Sequence, residues 1–190
     1  MFIVLEGCDG CGKSTQLDRV SERLLEMDKR FLKTREPSVI NDCSAKINNI
    51  LRSTITDSPT QFFLFLAARC SHIKGLQDAG EKNIICDRFA LSTLVYQCLL
   101  GDMPIKMYED IMRYIYKKYK FETPINIVLD VDTPHRRNNH DILARKYKQT
   151  DVIKHYRKLA EKLESVELVD GRGSICEVTD RIMKVIGKYI

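Results

Sequence analysis

The feature that most restricts the fold of this chain is a glycine-rich segment, LEGCDGCGKST, at residues 5–15. The apolar run FIVLE leads into it and is typical of a buried β-strand. After it, Leu17, Val20 and Leu24 recur at helical spacing, which predicts an amphipathic helix. A Gly-x-x-x-x-Gly-Lys-Ser loop between a strand and a helix predicts a site that binds phosphate through its backbone.

The rest of the 190 residues alternates in the same way between short apolar runs and amphipathic segments. The predicted strands are 2–6, 30–34, 83–87, 125–131 and 166–170. Between them lie predicted helices, the longest of which opens at Pro59 and closes at Gly80. Alternating strands and helices favour an α/β protein with a parallel sheet covered on both faces. No repeat or linker is evident, so we expect residues 1–190 to form a single domain.

Composition excludes several classes of protein. A hydrophobic content of 44% supports a core, and 30% charged residues argue against a disordered or membrane protein. No apolar run approaches the roughly 20 residues of a membrane span, and no signal peptide is evident. The net charge of +5 suits anionic small molecules, because no basic stripe with interleaved aromatic residues points to nucleic acid. We therefore expect no nucleic-acid or membrane partner.

The loop also carries a Cys-x-x-Cys pair, Cys8 and Cys11, which is an alternative metal or redox motif. A structural zinc site needs four ligands, and no second Cys/His pair with suitable spacing is present. A thioredoxin-like pair directly precedes its helix, whereas Gly12, Lys13 and Ser14 intervene here. We interpret both cysteines as side chains on a loop that acts through its backbone. Seven cysteines, several in apolar runs, indicate a reducing compartment, the cytoplasm or, in a eukaryote, the nucleus.

The phosphate loop predicts how the phosphates of a ligand and Mg²⁺ would be held. Gly7 and Gly12 let the backbone fold tightly around an anion, and the helix that follows adds its positive end. Lys13 is expected to reach the outer phosphates, and the Ser14 hydroxyl to bind Mg²⁺. The full set of expected nucleotide-binding residues is Gly7, Cys8, Asp9, Gly10, Cys11, Gly12, Lys13, Ser14 and Thr15.

The reaction is narrowed by what the rest of the chain contains. A GTPase should carry an Asn/Thr-Lys-x-Asp segment after a strand, and none is present. A motor ATPase needs far more than 190 residues. A small kinase fits the length.

Four segments occur in this order along the chain: FIVLEGCDGCGKSTQ, TREPS, FLAARCSH and DRFALSTLVYQ. On these segments the chain resembles the thymidylate kinases, which use ATP to convert dTMP to dTDP. The last segment is the most specific, because it joins a strand to a helix with Asp-Arg-aromatic, Ser-Thr and Tyr-Gln. The resemblance implies a P-loop fold of three α/β/α layers and a five-stranded parallel sheet in the order 2-3-1-4-5. It also implies a short lid, near residues 134–148, and a homodimer.

The resemblance also implies which residues bind the sugar and the base of dTMP. In similar enzymes the aspartate matching Asp9 accepts a hydrogen bond from the 3′-hydroxyl of the deoxyribose. Phe65 and Arg69 are four residues apart on one helix face, where the ring can stack on thymine and the guanidinium can bond a base carbonyl. Phe62 and Phe63 remain alternative partners for the base.

Charged residues after the predicted strands are candidates for the phosphates. Asp87 and Arg88 end the third strand, at the edge where ligands collect in such sheets. Asp87 is expected to hold Mg²⁺ and Arg88 to clamp the dTMP phosphate. Arg35 is a second candidate substrate contact.

Further along, Ser92 and Thr93 are expected to bond the N3 edge of the pyrimidine. Tyr96 is expected to lie under the sugar and to exclude a 2′-hydroxyl by occupying its space.

The catalytic cation is expected in the lid. Eukaryotic members of the family often carry a basic residue directly after the loop aspartate, where this chain has Gly10. Arg145 is our first choice for the cation that stabilises the transferring phosphoryl group. The other candidates are Arg136, Arg137, Lys146 and Lys148.

Two alternatives to dTMP phosphorylation stay open from the sequence. One is a kinase that acts on another pyrimidine nucleotide or on a deoxynucleoside. The other is a nucleotide-binding switch protein without catalysis.

Overall fold

The computed structural model describes residues 1–53, 57–80, 83–132 and 147–190. Within them, a parallel sheet of five strands forms the middle of the molecule, in the order β2-β3-β1-β4-β5. This confirms the sheet order and the α/β class predicted above. The strands are β1 (Phe2–Glu6), β2 (Leu32–Arg35), β3 (Ile84–Asp87), β4 (Ile125–Asp130) and β5 (Val166–Asp170).

Helices connect these strands close to where the periodicity predicts them. They are α1 (Lys13–Glu26), α2 (Asp42–Ser53), α3 (Ser58–Asp78), α4 (Ala90–Thr93), α5 (Ile105–Tyr119), α6 (Gln149–Lys162) and α7 (Ile175–Ile186). The Asp57 carboxylate accepts a hydrogen bond from the Thr60 backbone N–H at 2.6 Å, so α3 begins one residue before Pro59. Among the described residues, no helix combines the length and the apolar character that a membrane span requires.

The alternating side chains of β1 join two hydrophobic clusters, one on each face of the sheet. Ile3 and Leu5 belong to the cluster that contains apolar residues of α1 and α7. Phe2 and Val4 belong to the cluster that contains residues of α3 and α5. Because a strand alternates its side chains and both faces are covered, every residue of this strand is buried.

The segment after β3 differs from the single helix that its sequence predicts. After one turn of α4, residues Leu94–Leu99 form a π-helix, a rare conformation that occurs mostly at functional sites. The chain leaves it at Gly101, where a Cβ atom would lie 2.3 Å from the carbonyl oxygen of Gln97. Helical periodicity cannot separate an α-helix from a short π-helix, since both bury one face.

The sheet order determines where a ligand can bind. The chain leaves β1 toward the glycine-rich loop, and it leaves β3 toward Arg88, and these two strands are neighbours. β1 also neighbours β4, so the direction in which the chain winds reverses at β1. The carboxyl ends of strands at such a reversal form a crevice that is the usual ligand site of α/β sheets.

Candidate active site

A cavity of about 980 Å³ opens at the carboxyl ends of the strands. Of the predicted site residues, those that line it are Asp9, Gly10, Cys11, Gly12, Lys13, Ser14, Thr15, Arg35, Phe65, Arg69, Asp87, Arg88, Ser92, Thr93 and Tyr96. Gly7 and Cys8 are buried in the same loop. The fold thus gathers around one cavity predicted site residues that are up to 87 positions apart in the chain, Asp9 and Tyr96.

The tight path of the loop depends on glycine at its first position. Gly7 has a φ of 137°, and a Cβ atom there would lie 2.9 Å from both the Cys11 sulfur and the Leu129 carbonyl oxygen. Gly12 also has a positive φ, 95°, at the point where α1 begins. These are conformations that glycine adopts without the steric cost of a side chain.

The N-terminus of α1 points its unpaired backbone N–H groups at the cavity. In the described structure, no side chain caps this end and no acidic residue lies in its first turn. The amides and the helix dipole are therefore available to an anion. Lys13 is folded back into the loop, where its Nζ atom donates to the carbonyl oxygens of Cys8 at 2.6 Å and Gly7 at 3.2 Å.

Two oxygen ligands meet beside this loop. The Ser14 hydroxyl donates a hydrogen bond of 2.7 Å to Oδ2 of Asp87, which is the last residue of β3. Hydroxyl and carboxylate oxygens are the ligands that Mg²⁺ prefers, and the protein needs to supply few of them because Mg²⁺ keeps several waters and binds substrate phosphates. The donor set therefore fits Mg²⁺, as the sequence predicted for this pair.

Arg88 links the loop to the opposite wall of the cavity. Its Nη2 atom donates to Oδ1 of Asp9 at 2.5 Å, and its guanidinium lies 5.5 Å from the centre of the Tyr96 ring. The Tyr96 hydroxyl also donates to Oδ2 of Asp9, at 3.4 Å. Burial opposes ionisation of Asp9, but the positive charges of Arg88 and Lys13 outweigh it and lower its pKa.

The backbone of Arg88 is in the left-handed region, with a φ of 69°. This turn is held by Glu6, a fully buried residue that the sequence analysis did not single out. Its Oε1 accepts hydrogen bonds from the backbone N–H groups of Phe89 (2.9 Å) and Ser92 (3.2 Å). Its Oε2 accepts from the hydroxyls of Ser92 (2.7 Å) and Tyr156 (2.9 Å). Glu6 thus orders the turn that carries Arg88.

Ser92 has more contacts than its predicted role at the base requires. Besides donating to Glu6, its hydroxyl oxygen accepts from Nη1 of Arg88 at 3.0 Å. It therefore lies between the buried carboxylate and the guanidinium, and it orients the latter.

Arg69 reaches the cavity from α3 through a buried ion pair. Its Nε and Nη2 atoms donate to Oε2 of Glu36, at 3.0 and 2.7 Å. Nη2 also donates to the Thr93 hydroxyl and to the carbonyl oxygen of Phe89, both at 2.9 Å. Desolvation works against the charges, but the attraction of Glu36 and Arg69 prevails, lowering the pKa of the carboxyl group and raising that of the guanidinium.

His72 completes the polar cluster around Glu36. Its Nδ1 atom lies 3.0 Å from Oε1 of Glu36, and its Nε2 atom lies 2.9 Å from the Thr34 hydroxyl. Glu36 and His72 were not among the predicted site residues, although both lie inside the quoted segments TREPS and FLAARCSH. Hydrophobic periodicity carries no signal for a buried charge that is neutralised from another helix.

The three candidate aromatic rings of α3 have different surroundings. Phe65 is half-buried and lines the cavity on the same helix face as Arg69. Phe62 is fully buried in the core, and Phe63 is 53% exposed. Phe65 is therefore the ring of the three that is placed to meet a ligand in the cavity.

Other cavity residues were not foreseen. Gln61, Gln97, Tyr147 and the segment 171–175 after β5 also line the cavity. A Ser-x-x-Glu signature predicts the start of α7 here, and the reciprocal hydrogen bonds of Ser174 and Glu177 form that capping box. The lid candidates Arg136, Arg137, Arg145 and Lys146 lie outside the described residues, whereas Lys148 is described and directly precedes α6.

The sheet order, the glycine-rich loop before α1 and the second cationic site at Arg88 place the protein in the class of P-loop nucleoside monophosphate kinases, which are transferases. A family model described as Thymidylate kinase matches residues 5–182. The chain belongs to the thymidylate kinase family. It is 30% identical over 208 residues to the thymidylate kinase of Fervidobacterium nodosum, with 100% of both chains covered.

A second relative agrees with this placement, and a solved structure shares the fold. The thymidylate kinase of Chlamydia caviae is 32% identical over 198 residues, which cover 96% of this chain and 95% of the relative. The crystal structure of the thymidylate kinase from Ehrlichia chaffeensis superposes with a TM-score of 0.80 over 98% of both chains. At 24% identity, this structural match supports the fold.

Proposed function

We propose that the protein transfers the γ-phosphoryl group of ATP to the 5′-phosphate of dTMP, forming ADP and dTDP. The observation that carries this proposal is that one cavity joins the phosphate loop to a second cationic site. In that second site Arg88 contacts Asp9 and Tyr96. Phe65 and Arg69, the residues proposed to contact the base, line the same cavity. Membership of the thymidylate kinase family supports the choice of dTMP as the acceptor.

On the donor side, the backbone amides of the loop and the N-terminus of α1 would hold the phosphates of ATP. Lys13 would leave its carbonyl partners in the loop and bind the outer phosphates, a stronger charge-assisted contact. Ser14 and Asp87 would hold Mg²⁺. When bound, Mg²⁺ supplies positive charge that neutralises the oxygens of the transferring phosphoryl group.

On the acceptor side, Arg88 would clamp the phosphate of dTMP. Its planar, permanently charged guanidinium suits two phosphate oxygens at once. The acceptor oxygen is already ionised near neutral pH, so the reaction needs no strong general base. Catalysis then consists of holding the two phosphates in line and neutralising their charge.

Asp9 and Tyr96 would select the sugar. The lowered pKa keeps Asp9 ionised, so that it can accept a hydrogen bond from the 3′-hydroxyl. Tyr96 packs beside Asp9 and would leave no space for a 2′-hydroxyl. Preference for a deoxyribose would therefore arise from steric exclusion.

The base would lie against Phe65 with one carbonyl near Arg69. Nη2 of Arg69 is occupied by Glu36, Thr93 and the Phe89 carbonyl, so this nitrogen serves the structure. Nη1 contacts the sulfur of Met112 at 3.8 Å, a weak acceptor that a base carbonyl can replace. The proposal also includes a catalytic cation from the lid, for which Arg145 is the first choice, and a homodimer. Both come from the family resemblance.

Steady-state ADP formation across acceptors tests this function. We expect kcat/KM to be highest with dTMP, lower with dUMP and far lower with UMP, and thymidine to be a poor acceptor because it lacks the phosphate that Arg88 binds. Higher activity with UMP or thymidine would overturn the choice of substrate. If no acceptor gave ADP above the rate of a Lys13→Ala control, the protein would be a nucleotide-binding switch.

A further inference from the structure

The two cysteines of the phosphate loop flank a turn of the chain. The chain turns at Asp9 and Gly10, so Cys8 and Cys11 occupy the first and fourth positions of a turn. The Cα atoms of such positions lie within about 7 Å, which overlaps the range that a disulfide requires. The two thiols also interact, since each shifts the pKa of the other. The backbone of the pair is thus compatible with S–S bond formation.

Cys11 lies beside the amino group of Lys13. Its sulfur is 3.6 Å from the Nζ atom of Lys13, and it packs against Gly7 where no side chain could fit. The hydrogen bond from Cys8 lowers the pKa of Cys11 to about 6 against the effect of burial, and the charge of Lys13 acts in the same direction. The pKa of Cys8 is raised by that same hydrogen bond and by burial. Cys11 is therefore the nucleophile of the pair and Cys8 keeps its proton.

The position of Cys11 also gives it access to small reagents. Cys11 lines the nucleotide cavity and is 8% exposed, whereas Cys8 is 1% exposed and does not form part of the cavity wall among the described residues. Three other cysteines, Cys70, Cys86 and Cys98, have pKa values that burial raises. Reactive thiols occur in partly accessible, electropositive surroundings, which is the environment of Cys11.

We infer that Cys11 is a modification site for hydroperoxides and that Cys8 resolves the product into a disulfide across the phosphate loop. In the first step the Cys11 sulfur attacks one peroxide oxygen, an S–O bond forms, the O–O bond breaks, and hydroxide leaves. In the second step the Cys8 sulfur attacks that of Cys11, an S–S bond forms, the S–O bond breaks, and water leaves with the Cys8 proton. Two thiols lose two electrons, and hydrogen peroxide is reduced to two molecules of water.

Nucleotide binding and this oxidation should exclude one another. A disulfide would remove the sulfur partner of Lys13 and tether the two ends of the turn that carries Asp9. Conversely, phosphates bound in the loop would cover Cys11 and draw Lys13 away from it. The inference concerns thiol chemistry of the loop and does not depend on which acceptor the enzyme uses.

The test is residue-resolved oxidation of the folded protein by a small excess of hydrogen peroxide. We expect a peptide in which Cys8 and Cys11 have together lost two hydrogens, restored by dithiothreitol. In a Cys8→Ala variant, a dione reagent should trap the sulfenic acid at Cys11. In a Cys11→Ala variant, Cys8 should stay reduced. ATP added first should slow the wild-type reaction by about tenfold or more, because the reactive thiolate is then covered.

Cys43 and Cys176 are exposed and provide the internal comparison. A Cys43→Ser/Cys176→Ser variant should form the loop disulfide at the wild-type rate. Oxidation of Cys43 or Cys176 as fast as that of Cys11 in the folded wild-type protein would contradict the inference. So would a stable sulfenic acid at Cys11 in the wild type with no disulfide, or the absence of any effect of ATP on the rate at Cys11.

Discussion

The two halves of the cavity are built in opposite ways. On the phosphate side, the contacts come from one contiguous loop and from two residues at the end of β3, with Lys13 bonding carbonyl oxygens a few positions away. On the base side, Glu36, Arg69 and His72 are brought together from two distant segments and are almost completely buried. The first half also presents the uncapped backbone N–H groups at the start of α1 to the cavity, whereas the second half satisfies its charges internally.

This difference predicts a difference in what each half contributes. Backbone amides that await an anion add little to the stability of the unliganded fold but bind substrate. A buried ion pair, by contrast, cannot lose one partner without leaving an uncompensated charge in the interior. Substitutions on the phosphate side should therefore lower activity at constant stability, and those on the base side should lower stability as well.

The largest effect should come from Lys13→Ala. We expect kcat to fall by about 10³-fold or more, because one preorganised charge at the transferring group is lost. The free energy of unfolding in urea should change by less than about 1 kcal/mol, because water can replace the ammonium group at the two carbonyl oxygens. A large loss of stability would show that the lysine is part of the structural core, and it would contradict the proposed difference between the two halves of the cavity.

Glu36→Gln should have the next largest effect, now on folding. It leaves the Arg69 guanidinium buried without its counter-charge, and we expect the free energy of unfolding to fall by about 3 kcal/mol. Equilibrium unfolding in urea measures it. An additional Arg69→Met change should recover part of the loss, since it removes the uncompensated charge. Failure of this second change to recover stability would argue against the ion pair as the cause.

The Glu36 carboxylate also makes the stability that its ion pair with Arg69 contributes depend on pH. The pKa of Glu36 is lower in the folded protein than its ordinary value of 4.5, through the charge of Arg69 acting against burial. Its stabilising contribution is therefore complete above pH 4.5 and is lost as the pH falls through the folded pKa. Wild-type protein should lose stability more steeply than Glu36→Gln on acidification below pH 4.5. Parallel acid profiles of the two proteins would contradict this assignment.

These contrasts also explain which parts of the structure the sequence could predict. The strand, loop and helix around Gly7 and Lys13 follow from local spacing, and the alternation of elements implies the parallel sheet. The sheet order came from the family resemblance. Glu6 and Glu36 were missed because each is satisfied by donors more than 30 positions away. The residues next to a buried carboxylate in the sequence do not predict such a distant donor.

Arg88→Ala should affect the kinetics of the two substrates differently. We expect kcat/KM for dTMP to fall by about 100-fold, while KM for ATP changes little, because the guanidinium faces the acceptor side. Arg88→Lys should recover part of the loss, since it keeps the charge but not the planar fork. Equal losses for ATP and dTMP would place Arg88 on the donor phosphates, and the boundary between the two sites would have to be redrawn.

Ser92→Ala should have the smallest effect, and it decides between two roles for one hydroxyl. Glu6 keeps its bonds to Tyr156 and to the backbone, so we expect a loss of about 1 kcal/mol in the free energy of unfolding. If Ser92 acts by orienting Arg88, its effect on kcat/KM for dTMP should largely disappear in an Arg88→Ala background. If it bonds the pyrimidine as the sequence predicted, the two effects should add, and the loss should be smaller with an acceptor whose N3 edge is blocked. The double-mutant cycle therefore assigns Ser92 to the phosphate half or to the base half of the cavity.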